Sequence, residues 1–276
     1  MEWAWLLFTA LSDVDFEDGH LKFPVKPSTR PFTQVIPLAV EESVGEVSSK
    51  VGSKVATCNV LTLRGGATPA VDFCGIAGPA RQDWILETSH QSGIHIFGLQ
   101  GSRLKKLVRH GDSRYVLIKS PANMQGHFGA MIGLSKTLPR GETNGQSFFF
   151  TEGSCKISTA QPRLLIVRIR TTALKCVLIV AHAPHSGATL AEIEEYWAGA
   201  TNSIGKTYRM WPKILLTDAN YRIGGHPEER VGSWQSEGMH EKSQPFVDFL
   251  AIHDIFLPST FERCHAGERG TWLHAW

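Results

Sequence analysis

No stretch of this 276-residue chain is apolar for long enough to cross a bilayer, which takes about 20 consecutive apolar residues. The nearest candidate, residues 3–11 (WAWLLFTAL), is too short. Glu2 stands where a secretory leader would carry positive charge, and no small-residue cleavage site follows. The sequence therefore predicts an intracellular protein, nuclear or cytoplasmic, with no membrane partner. CxxC pairs are lacking too. The five cysteines, at 58, 74, 155, 176 and 264, are odd in number and scattered, which argues against both a zinc ribbon and a disulfide framework. Cys58 and Cys176 fall in apolar runs and read as core residues. An excess of one charge is also missing: 28 Lys and Arg face 26 Asp and Glu, for a formal charge of +2. No global field marks the chain as a nucleic-acid binder. One local basic run exists, with Arg103, Lys105, Lys106, Arg109, His110 and Arg114. A solvated loop face and a phosphate-facing patch would both produce it. There is no internal repeat.

What is present is 42% hydrophobic residues, enough for one large domain or two small ones. Residues 1–50 lack sustained periodicity and hold Pro24, Pro27, Pro31 and Pro37; they read as a leader or linker ahead of a domain over 51–276. The apolar spacing then predicts strands at 55–60, 94–99, 114–120, 127–135, 163–171, 174–184 and 213–220. Helices are expected over 79–93, over 189–211 with a break near Gly205, and over 242–254. A short turn, RTTAL, joins the strands at 163 and 174, so these two are antiparallel and a regular parallel ladder is excluded. The expected fold is an α/β or α+β sandwich of packed, mostly antiparallel sheets with helices outside.

Four of the strands discharge polar residues at one end. Asn59 ends the first, Gln100 and Gly101 the second, His182 and then His185 the sixth, Asp218 and Asn220 the seventh. Singly, most have plain explanations. Asn59 is as readily a turn former, His182 a satisfied core histidine, and His185 a surface loop residue. Asp218 is more informative. A carboxylate at the end of an apolar strand is costly to bury unless paired or metal-bound. Asn220, two residues on, is expected on the same face by strand alternation. Together such groups suit phosphoester hydrolysis: a carboxylate orients water, amide and imidazole donate to phosphoryl oxygens, and a divalent cation offsets the developing charge. That scheme wants a hard-metal carboxylate ligand, and none is found among these residues.

In order along the chain, ATCNVLTLRG, IFGLQGSRL, GAMIGLSK, VLIVAHAPHSG, LLTDANYRIG and QPFVDFLAIHDIFLPSTFE...GTWLHAW resemble the motifs of the endonuclease/exonuclease/phosphatase superfamily. That family holds DNase I-like nucleases, abasic-site endonucleases, inositol polyphosphate phosphatases and neutral sphingomyelinases. The resemblance covers residues 54–276 and is nearest to the endonuclease domain of LINE-type non-LTR retrotransposons. It implies a four-layer sandwich with the active site at one edge of two sheets, and phosphodiester cleavage of DNA or another nucleic acid with Mg²⁺ or Mn²⁺. Asn59 would assist the metal and phosphate site, His182 would bond the scissile phosphate, Asp218 would orient the attacking water, and Asn220 would bind a phosphate oxygen.

The chain also departs from the family. Gly101 stands where the metal-binding glutamate is expected, so that metal binding would be weakened. Asp72 and Glu87 are carboxylates that could replace it. No Asp-His pair follows Thr271-Trp272, and the family's last strand is missing, which implies a C-terminally truncated domain. Thr217 and Ala219 replace the usual Gly and Phe, and the usual Asn is missing before Phe246. The favoured expectation is a degenerate endonuclease of retroelement origin. The alternatives are an active Mg²⁺ nuclease, a catalytically dead nucleic-acid-binding remnant, a phosphatase or sphingomyelinase of the same superfamily, and a non-enzymatic scaffold.

Overall fold

The structure is a computed structural model that describes residues 10–12, 15–17, 20–22, 36–37, 52–60, 63, 80–139, 142–143, 146–147, 149–171, 174–205, 208, 210–224, 230–232, 238–257 and 260. Its strands fall into two main sheets. The first is built from β1 (Ala10–Ser12), β2 (Val55–Asn59), β3 (Ile96–Gln100), β4 (Val108–Gly111), β5 (Tyr115–Lys119) and β6 (Ala130–Ser135), in the order β1-β2-β3-β6-β5-β4. The second is β7 (Cys155–Gln161), β8 (Leu164–Arg170), β9 (Lys175–His182) and β10 (Lys213–Asp218), in sequence order. The helices are α1 (Ala80–Gln91), α2 (Leu190–Ile204) and α3 (Gln244–His253).

Side-chain alternation divides each sheet between two apolar layers. Val55, Ile96, Val116, Ile118 and Ile132 of the first sheet meet Leu165, Val167, Leu178, Val180 and Leu216 of the second. On the far side of the first sheet, Cys58, Phe97, Leu99, Leu117 and Met131 take Ile85 and Leu86 of α1. On the far side of the second, Ile166, Val177 and Ile179 take Ile193 and Trp197 of α2 and Phe246 and Phe249 of α3. The result is a four-layer α/β sandwich. Strands buried on both faces explain the near-continuous apolar runs IFGLQ, YVLIK and VLIV. The start of α2 follows from Thr189, whose hydroxyl accepts the Glu192 N–H while Glu192 accepts the Thr189 N–H, a reciprocal cap on two orphan donors.

Most pairings are antiparallel, but each sheet holds one parallel pair. β2 and β3 are joined through α1, and β9 and β10 through α2. Parallel strands require such a crossover. The β8–β9 hairpin has the expected antiparallel register, Arg170 opposite Lys175; its turn residues 172–173 lie outside the described residues. So do Asp72, Cys74, Cys264 and the final segment with Thr271 and Trp272. Helix α2 ends at Ile204 with Gly205 as its cap, where a break was expected; residues 206, 207 and 209 lie outside the described residues.

Besides three two-stranded ribbons (Asp15–Glu17 with His20–Lys22, Ile36–Pro37 with Gly52–Ser53 and Glu142–Thr143 with Gln146–Ser147), three strands of the main sheets were not expected: β1, β4 and β7. All lie at the edge of a sheet. Edge strands bury less, so their apolar signal is weak; β7 is at most half-buried after Cys155. β1 pairs with β2, so the stretch read as a leader contributes an edge to the first sheet.

Candidate functional site

The two parallel pairs set the site. Ligands of parallel βαβ units gather at the carboxyl ends of the strands, and here the four carboxyl ends are Asn59, Gln100, His182 and Asp218. Within each sheet they are register partners: Asn59 lies opposite Gln100, and His182 opposite Asp218. Between the sheets they are bonded. Asn59 Nδ2 donates to Asp218 Oδ2 at 2.7 Å. Gln100, buried, sends its amide N–H groups to Thr57 Oγ1 and to the Leu216 carbonyl, both at 2.9 Å. Residues far apart in sequence thus meet on one rim.

Asn220 reaches this rim, though not by strand alternation. β10 ends at Asp218, and Asn220 has a left-handed backbone, φ 57°. Its backbone N–H donates to Asp218 Oδ1 at 3.2 Å, and its side-chain Nδ2 donates to the Ala183 carbonyl at 2.8 Å. The expectation from spacing is corrected: Asn220 sits beside Asp218 because a turn closes on the carboxylate. His185 is on the exposed loop, as expected, with its Nδ1 accepting the Gly187 N–H. Glu87 is not at the rim. It pairs with Arg114, which precedes β5 at the opposite end of the first sheet.

Sequence reasoning missed two residues around His182. Arg163, at the start of β8, donates from Nη1 to the Ala183 and His182 carbonyls at 2.8 and 3.2 Å. Its guanidinium lies 3.7 Å over the ring of Phe128, a cation–π contact, and Phe128 in turn meets the His182 ring edge-on at 5.5 Å. No spacing marks either residue, because the contact joins a loop of one sheet to a strand of the other. The basic run also divides. Arg114 is tied to Glu87 and Asp112, whereas Arg103, Lys105, Lys106 and Arg109 are exposed on the segment that leaves the rim after Gln100. Arg103 is close enough for its charge to act on His182.

Burial holds the His182 imidazole below its ordinary value near 6.5; Asp218 opposes this, and Arg163 and Arg103 reinforce it. The folded state therefore resists protonation that the unfolded chain accepts. His182 contributes stability that is complete above pH 6.5 and is lost as pH falls toward its depressed folded value. Urea unfolding at pH 7.5 and pH 5 is expected to show a loss on acidification that His182→Gln reduces. An equal loss in both proteins would refute this.

Gly101 is buried with φ 72°, a backbone that favours glycine. The residue thus has a conformational reason of its own. For a divalent cation the rim is a poor fit. Asp218 is its carboxylate among the described residues, both oxygens already accept N–H groups, and Arg103 and Arg163 share the space. No group of three acidic, His or Cys side chains suited to a metal occurs among the described residues. A hard cation held by one or two protein carboxylates would find here a single one that is already engaged. Gly101→Glu is expected to cost about 1–2 kcal/mol of stability from the left-handed backbone while raising Mg²⁺ affinity in calorimetric titration. Unchanged affinity would show that position 101 does not face the rim.

No family model matches the sequence, and no curated protein matches it. Among solved structures, the chain is similar to the endonuclease domain of TRAS1, a telomere-specific non-LTR retrotransposon, at 16% identity, 60% coverage of this chain, 61% of that one and a TM-score of 0.38. It is similar to the AP endonuclease LMAP from Leishmania major at 10% identity, 63% and 62% coverage and a TM-score of 0.42. It is similar to the human Nocturnin catalytic domain at 10% identity, 68% and 67% coverage and a TM-score of 0.36. The chain spans about three fifths of the length of the first two, and the likeness is one of chain course.

Proposed function

We propose that the chain is a nuclease-type phosphodiester-binding domain of the endonuclease/exonuclease/phosphatase superfamily, derived from a LINE-type retroelement, with impaired hydrolysis. The observation that carries this reading is the Asn59–Asp218 bond across the two sheets, with His182 in register beside Asp218. These residues fall in segments that resemble separate motifs of the superfamily, and their meeting across the sheets supports the reading.

A phosphodiester seated on the rim would meet Arg103 and the exposed lysines that follow it, which attract the backbone charge of DNA. His182, kept neutral by burial, would hydrogen-bond a phosphoryl oxygen. Asp218, oriented by Asn59 and by the Asn220 N–H, would hold a water as base. Arg163 and the Asn220 side chain brace the 182–183 backbone. In its relatives by motif a divalent cation supplies charge neutralisation; among the described residues this rim offers one carboxylate for it, already engaged, so Mg²⁺ or Mn²⁺ binds weakly and turnover is low.

The test is a labelled duplex binding assay in EDTA beside plasmid nicking with Mg²⁺ and Mn²⁺, with Asp218→Ala as the blank. The expected result is salt-dependent binding of the duplex with nicking no faster than the blank. Strong Mg²⁺-dependent nicking abolished in Asp218→Ala would overturn the impairment. Failure to bind any duplex would overturn the nuclease-type reading.

A further inference from the structure

The outer face of the second sheet carries a feature that the rim does not use. Helices α2 and α3 leave a groove of about 530 Å³ between them. Its floor is lined by Trp197, Pro245 and Phe249, of which Trp197 and Phe249 are almost wholly buried, and its exposed apolar side chains are Leu190 and Ile252, 45% and 55% exposed. Isolated exposed apolar residues are ordinary; a contiguous patch with a polar border marks an interaction surface. The border here has one sign. Glu194, Glu241 and Asp248 line the groove, and no lysine or arginine among the described residues does. Lys242, the nearest cation in sequence, spends its ammonium on the Ser186 and Ala188 carbonyls at 3.1 and 2.8 Å. The Trp197 indole N–H at the floor has no acceptor among the described residues.

We infer that this groove is a docking site for a cationic amphipathic helix of a partner protein. An apolar trough between two helices takes the apolar face of a third, and the three carboxylates select lysine and arginine on its flanks while repelling nucleic acid. The site is separate from the rim and does not depend on the rim's chemistry.

The probe is a fluorescein-labelled 14-residue peptide of leucine and lysine patterned as an amphipathic helix. Two controls are used: the same composition with the leucines scrambled around the helix, and a leucine–glutamate counterpart. Binding to the full chain is read by anisotropy and by the indole N–H resonance of Trp197. The patterned cationic peptide is expected to bind and to move that resonance. The double variant Glu194→Lys with Asp248→Lys should weaken it by about tenfold or more and gain binding of the glutamate peptide, which shows that the variant is folded. Equal binding of patterned and scrambled peptides, binding indifferent to the charge reversal, or a DNA duplex moving the Trp197 resonance would overturn the proposal. So would self-association of the chain that buries the groove against a second copy.

Discussion

Gly98→Ala is expected to destabilise the protein by about 1–3 kcal/mol, the cost of overpacking a filled core, and Gly98→Val by more. Gly98 lies in the middle of β3 and faces the second sheet. A Cβ added there would come within 2.6 Å of Leu216 Cβ, 2.8 Å of Leu216 Cδ1 and 2.9 Å of Val180 Cγ2. A Cβ is fixed to its backbone and cannot turn aside, so the sheets themselves would have to separate. This is also where they are stitched together at the rim. Two residues on, Gln100 bonds to the Leu216 carbonyl, and one strand over, Asn59 bonds to Asp218. A methyl group at 98 therefore acts on stability and on site geometry together. Urea unfolding of Gly98→Ala checks the first effect; a variant as stable as the parent would show that the sheets are not in contact at this point.

Gln100→Met is expected to cost about 1–3 kcal/mol, the penalty for stranding buried polar partners. Methionine matches the length of glutamine and fills the same space, so the change isolates the amide. It leaves the Leu216 carbonyl and the Thr57 hydroxyl without the bonds that Gln100 supplies. Because the Leu216 bond crosses between the sheets, the loss should appear in equilibrium unfolding and also as weaker duplex binding. Gln100→Met with unaltered stability would mean that the amide is not the bridge.

The core was legible in the sequence because strands buried on both faces are apolar at nearly every position, as in YVLIK and VLIV. The convergence of the candidate rim residues was legible for the same reason. Against such a background an Asn, a His or an Asp at a strand's carboxyl end stands out, and Asn59, His182 and Asp218 do meet. The edge strands were not legible, since β4 lies inside the basic run and β7 alternates only weakly. Asn220 was placed correctly for a reason that does not hold, because the strand has already ended and a left-handed turn carries it. Arg163 and Phe128 could not be found from spacing. Phe128 has φ 64° between Gly126 and Gly129, and it meets Arg163 and His182 only after the two sheets have packed. Gly101 shows the limit of motif comparison: a position read as a lost ligand also satisfies a local backbone need.

Stability changes test the scaffold, whereas the central claim is that phosphodiester binds at the rim. The measurement that reaches it most directly follows the His182 imidazole by NMR while a short DNA duplex is added at constant pH, with the Asn59 side-chain amide as a second reporter. The expected result is that both signals move together, saturate with the duplex, and return when salt is raised enough to release the backbone contacts. Duplex binding that leaves His182 and Asn59 unmoved would place the nucleic acid elsewhere on the protein and contradict the assignment of the rim.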